Sequence, residues 1–143
     1  MRSVTLLFFI LAVGLTTAAQ RKVPFPPDVA SDIIQAASQC ILESGVNPDL
    51  LIKFTNFDGK NVAEDEQLNK FAYCTLLKTG YGKRDGRLKL DKAIAVMPND
   101  VDIDTVKKVM EKCNEETGKD APQTTFRVFK CLSEKSPVLM TMI

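Results

Sequence analysis

Four cysteines, no histidine and scattered carboxylates set the chemistry open to this chain. Without histidine there is no common general base, no ordinary Ser or Cys triad and no imidazole metal site. Cys40, Cys74, Cys113 and Cys131 form an even set, which in an exported chain implies two disulfides. Once oxidised they act neither as thiolate nucleophiles nor as ligands. Four cysteines allow three pairings, and the residues alone leave all three open. Asp100, Asp102 and Asp104 alternate as at the start of an EF-hand loop, but the glycine and closing glutamate are missing at the right offsets. They are expected to be acidic residues at a helix N-terminus instead. Gly80, Gly82, Lys83 and Arg84 could pass for a phosphate loop, yet no strand precedes them and no Gly-Lys-Ser/Thr follows. A solvated hairpin between two helices is the expectation. The other carboxylates stand beside lysines, as on a solvated face, and tryptophan, useful for stacking on sugars, is absent. No enzyme, cofactor or metal site is expected.

The elements that must position these residues begin after residue 19. Met1-Arg2 gives a positive start, Val4–Leu15 is apolar and Thr16-Thr17-Ala18-Ala19 supplies small residues for cleavage. That run is shorter than the roughly 20 residues a membrane span needs. Residues 1–19 are expected to be a secretory signal peptide, leaving 20–143 as one exported domain that is not inserted in a membrane. With Arg2 gone, basic and acidic residues are equal in number. No basic stripe supports nucleic-acid binding, and no Asn-x-Ser/Thr sequon is present.

Apolar spacing then predicts an all-α chain of about six short helices. Gln20–Pro26 reads as a polar arm, and no alternating strand pattern follows anywhere. The first helix starts at Pro27 and stops at Gly45, and a short one covers Pro48–Thr55 behind Asn47. Asn56–Lys60 carries the turn signal Asp58-Gly59. Asn61 and Glu64 resemble a capping box opening the central helix, which Gly80 ends. Its stretch Leu68–Gly80 is apolar almost all round, so it needs neighbours on several sides. Leu90–Met97 is expected to be a helix ended by Pro98. The next carries Ile103, Val106, Met110 and Cys113 on one face and runs to Gly118. Asp120 caps the last, with Pro122 in its first turn.

Bulky apolar residues are spread over all these helices. Short helices crossing steeply close badly, and a space lined by Phe, Leu and Met suits a small apolar guest. Candidate lining residues are Phe54, Phe71, Tyr73, Leu76, Met97, Val106, Met110, Phe126, Phe129 and Leu139. Tyr73 or Thr75 is available to orient a guest. The tail Ser136–Ile143, with five apolar residues in its last six, is expected to fold back as a wall or lid. The other reading is a secreted helical signalling or interaction protein with a solid core.

The cysteine placement resembles that of the insect odorant-binding proteins, in particular their reduced-cysteine ("minus-C") members. Cys40, Cys74, Cys113 and Cys131 match the first, third, fourth and sixth of six family cysteines; the second and fifth would fall at Lys70 and Pro122. Those two form one disulfide in the family, so a complete pair is missing. The similarity extends through ESGVNPDLL, KFAYCTLLKTG, DGRLKLDKAIAVMP and FKCLSE. It implies the pairing Cys40–Cys74 and Cys113–Cys131, with the helices at positions 70 and 122 held by packing alone. It further implies a small hydrophobic ligand such as an odorant or pheromone, carried through extracellular fluid. A membrane receptor is a further candidate partner, and the carrier would be a monomer or weak homodimer.

Overall fold

Proline starts and glycine stops, both legible locally, fix several of the helix ends. The computed structural model describes residues 20–55 and 63–142, without the side chains of residues 53–55. The expected leader, the Asp58-Gly59 turn, Asn61, Ile143 and the Phe54 side chain lie outside what is described. In chain order the elements are β1 (Arg21–Pro24), α1 (Pro27–Ser44), α2 (Pro48–Thr55), α3 (Glu66–Thr79), α4 (Leu90–Ala95), α5 (Ile103–Cys113), α6 (Ala121–Lys135) and β2 (Val138–Thr141). Pro27 occupies the first turn of α1, and Gly45 closes it at φ 66°, where a side chain would be strained. Gly80 does the same for α3 at φ 81°. The apolar α3 is central, packed on α1 on one side and α6 on the other.

Four boundaries differ from expectation, each for a physical reason. The cap of α3 is Asp65, whose side chain accepts from the Leu68 amide, because Glu64 is engaged elsewhere. Helix α4 stops at Ala95, two residues before the one whose helical conformation Pro98 disfavours. Helix α5 stops at Cys113 and does not reach Gly118. The Asn114 side chain there bonds both the N–H and the C=O of Leu88, turning the chain toward the loop after α3. Finally, the polar arm and the tail are short strands: β1 and β2 pair in parallel, Arg21 opposite Val138 and Pro24 opposite Thr141.

The loop after α3 is a hairpin bridged at Gly82 and Leu88, but it is not simply solvated. Gly82 and Gly86 are buried. Gly86, at φ 94°, lies so close to the Ala121 carbonyl that a Cβ would clash, and Thr125 Oγ1 donates to its carbonyl at 2.7 Å. Two apolar clusters make the core. One, with Val23, Leu88, Val106, Met110, Val128 and Met140, lies between the strands and α4–α6. The other, with Cys40, Val46, Leu51, Leu68, Phe71 and Phe126, joins α1, α2, α3 and α6. The disulfides are Cys40–Cys74, tying α1 to α3, and Cys113–Cys131, tying α5 to α6.

Candidate functional site

Between the two clusters lies a cavity of about 250 Å³ with an almost wholly apolar wall. Its volume is several times the roughly 30 Å³ a water takes in the liquid, and just under the ~300 Å³ at which pockets for drug-sized ligands begin. Helix α1 contributes Ile33 and Ala37, and α3 contributes Phe71, Leu76 and Thr79. Tyr81 and Leu88 come from the hairpin, and Ala93, Val96 and Met97 from α4 and the turn after it. Met110 of α5 and Phe126, Phe129, Leu132 and Ser133 of α6 form the floor, with the stem of the exposed Lys130 beside them. Phe25, Ser136, Val138, Leu139, Met140 and Met142 line the remaining side.

The structure thus brings Phe71, Leu76, Met97, Met110, Phe126, Phe129 and Leu139 to one space. Val106 is not in the wall. It is 0 % exposed and points into the first cluster, one turn before Met110, which does reach the cavity. Tyr73 is also elsewhere: its hydroxyl donates to the Arg84 carbonyl at 2.7 Å, on the outer side of the hairpin. Thr75 has a buried hydroxyl without a partner, yet it is not in the wall. Sequence reasoning missed Phe25, Ile33 and Tyr81 as wall residues. For Phe25 the signal was one aromatic between prolines in an arm otherwise polar.

The strand pair holds the tail against the cavity. Val138, Leu139 and Met140 are buried beneath it, and the Phe25 amide extends the pairing to the Thr141 carbonyl. Gln20 Nε2 donates to the carbonyls of Ser133 and Ser136 at 2.8 and 2.9 Å, and Arg21 pairs with Asp100 at 2.8 Å. Asp102 caps α5, accepting from Thr105 N at 3.3 Å and Thr105 Oγ1 at 2.7 Å. Those bonds keep its carboxyl below the ordinary carboxylate value, and the Arg21 bond does the same for Asp100. Two of the alternating aspartates are therefore engaged in helix capping and in fastening the arm. A grouping of potential metal ligands among the described residues, Cys40, Glu43 and Cys74, has both sulfurs in a disulfide and offers a single carboxylate.

A second, polar groove lies where α3 and α6 begin, lined by Glu64, Glu66, Asn69, Lys70, Lys119, Asp120, Pro122 and Gln123. Glu64 accepts from Asn69 and from Gln123, and the Gln123 bond is the main reason its carboxyl sits below 4.5. Positions 70 and 122 therefore face one groove, and the expectation that packing alone holds these helices is corrected: a carboxylate bridges them.

A helical shell, two disulfides and an apolar interior define a small cavity protein. The sequence model of the PBP/GOBP family matches residues 23–135, and the chain belongs to that family. Among solved structures it is similar to odorant binding protein 7 of Anopheles gambiae, with four disulfide bridges and in complex with an azo compound. That match has a TM-score of 0.59 and 23% identity over 76% of this chain and 85% of that one. It is also similar to an odorant binding protein of the medfly, with a TM-score of 0.56 and 23% identity over 72% of this chain and 87% of that one. At this identity the likenesses show the fold. No curated protein gave a significant match.

Proposed function

We propose that this protein is a secreted carrier which holds one small hydrophobic molecule in the cavity and takes it through aqueous extracellular fluid. The observation that carries this is the cavity itself: about 250 Å³ of apolar space lined from several helices. An apolar pocket of this size, lined from several helices, favours a guest over the solid-core alternative. The relative from Anopheles gambiae holds an azo compound, a small molecule of the same general kind. Odorants and pheromones are the ligand class that family membership favours.

In this reading residues 1–19 are removed on export and Gln20 becomes the first residue, anchoring the arm through its side-chain amide. No described helix is long and apolar enough to cross a membrane. The carrier acts as a monomer or weak homodimer that delivers its guest to a receptor, without catalysis. Uptake of an apolar naphthylamine fluorophore by the refolded 20–143 chain tests the reading. A blue shift and saturable binding are expected; an emission no different from that in buffer would refute the carrier. Intact-mass measurement of the exported protein tests the cleavage, with the mass of a chain beginning at Gln20, or that mass less ammonia if Gln20 has cyclised, expected.

A further inference from the structure

We propose that the Tyr81 hydroxyl orients the guest, and that the guest is an apolar molecule bearing a neutral hydrogen-bond acceptor, such as an ester or ketone; this rests on the carrier reading above. The wall carries hydroxyls on Thr79, Tyr81, Ser133 and Ser136. Each has one proton to donate. Thr79 Oγ1 donates to the carbonyls of Thr75 and Leu76 at 2.9 and 3.1 Å. Ser133 Oγ donates to the Lys130 carbonyl at 2.8 Å, and Ser136 Oγ to the Val138 carbonyl at 2.6 Å. These three protons are committed to the main chain. No hydrogen bond joins the Tyr81 hydroxyl to another described residue, and the hydroxyl is accessible rather than buried. Of the hydroxyls on wall residues it is the donor left uncommitted, available to a guest carbonyl that would be disfavoured if taken out of water without a partner.

The surroundings of Tyr81 select against a charged acid head. Its partial burial and the carboxylates of Asp28 and Asp32 hold the phenol above 10.0, so it remains a donor at every physiological pH. Asp32 adjoins the wall residue Ile33 at the start of α1. A carboxylate at the Tyr81 end would meet those two like charges, whereas an ester meets only a donor. Lys130 is the cation in the wall, so it is the place where an acid would bind if this assignment were wrong.

Methyl octanoate, undecane and nonanoic acid have equal numbers of heavy atoms and isolate the head group. Their affinities would be read at neutral pH by displacement of the naphthylamine fluorophore from the full 20–143 chain. The wild type should bind the ester about two- to tenfold more tightly than the alkane, the range of one net hydrogen bond, and more tightly than the acid. Tyr81→Phe should bring the ester down to the alkane and leave the alkane unchanged. Asp28→Asn with Asp32→Asn should improve binding of the acid alone. An ester preference that survives Tyr81→Phe, or that disappears in Thr75→Val instead, overturns the assignment, as does a preference for the acid that disappears in Lys130→Gln. In all of these the alkane still binds and the carrier reading stands. If the probe itself is not taken up, the carrier reading falls and takes this one with it; if the probe binds and none of the three displaces it, this assignment alone falls. Melting curves confirm that Tyr81→Phe is folded.

Discussion

Glu64 Oε1 accepts a hydrogen bond from Gln123 Nε2 at 2.6 Å, joining the approach to α3 with the first turn of α6. The same oxygen accepts from Asn69 Nδ2 at 3.2 Å, and Gln123 Oε1 in turn accepts from the Lys119 amide. This exposed network lies where the six-cysteine relatives, by the resemblance drawn from the sequence, carry their additional disulfide. A link that can be broken by a proton stands in for one that cannot.

Acid should therefore loosen the start of α6. Glu64 is held below 4.5 in the folded protein, so its contribution to stability is fully present above that value and is lost as pH falls through the lower folded one. Glu64→Gln should lower the melting temperature slightly at neutral pH, and the difference from wild type should disappear in strong acid. Melting curves across the acid range check it; a difference that grows as pH falls would contradict the assignment.

Replacing the network by a covalent bond is the converse test. Lys70 and Pro122 line the same groove. Lys70→Cys with Pro122→Cys should form a disulfide if the two Cα atoms come within about 7 Å. The oxidised variant should melt higher than the reduced one and release the fluorophore more slowly. Unaltered release from a stabilised protein would show that opening does not involve α6.

Each native disulfide should contribute about 3–4 kcal/mol by limiting the unfolded chain, given loops of moderate length. The sequence separations are 34 for Cys40–Cys74 and 18 for Cys113–Cys131, so the first should matter slightly more. Urea unfolding of Cys40→Ala/Cys74→Ala and of Cys113→Ala/Cys131→Ala compares them directly.

Val106 and Ala37 should separate stability from binding. Val106→Ala removes packing from a fully buried position outside the cavity wall and should cost about 1.5–3 kcal/mol with little effect on ligand affinity. Ala37→Phe projects a ring into the cavity from α1 and should reduce fluorophore binding severalfold in a protein that still folds. Denaturation and titration of both variants check the contrast, which would fail if Val106→Ala were the one to lose binding.

Deleting residues 138–143 should open the cavity. Val138, Leu139 and Met140 are buried there, and each such side chain is worth roughly 1.5–3 kcal/mol when covered. Faster dissociation and weaker binding of the fluorophore are expected. Stopped-flow release that matches the full chain would show the tail to be no part of the enclosure.

Helix ends were largely readable because their causes are local. Pro27, Pro48, Asp120 and the glycines at 45 and 80 act within one turn of themselves. The strand pair was not readable, since two four-residue segments are too short to show alternation and their partners lie at opposite ends of the chain. Within the cavity, helical spacing placed Phe71, Met110 and Phe126 on inward faces but could not separate Val106 from Met110, which share one. Depth distinguishes them, and depth depends on the neighbouring helices. Tyr81 escaped notice as a polar wall group because it lies in the hairpin, where no periodicity points inward.

The strands flank every described helix: β1 precedes the first and β2 follows the last. Their pairing closes the longest loop in the described chain, and closure entropy must be met before any of its hydrogen bonds form. That cost favours pairing of the strands late, once the helices between them have met. Before that pairing the cavity would lack the wall that Phe25 and residues 138–142 supply. The wall that covers the guest is thus joined from the two ends of the described chain, so whatever loosens either end also loosens the hold on the guest.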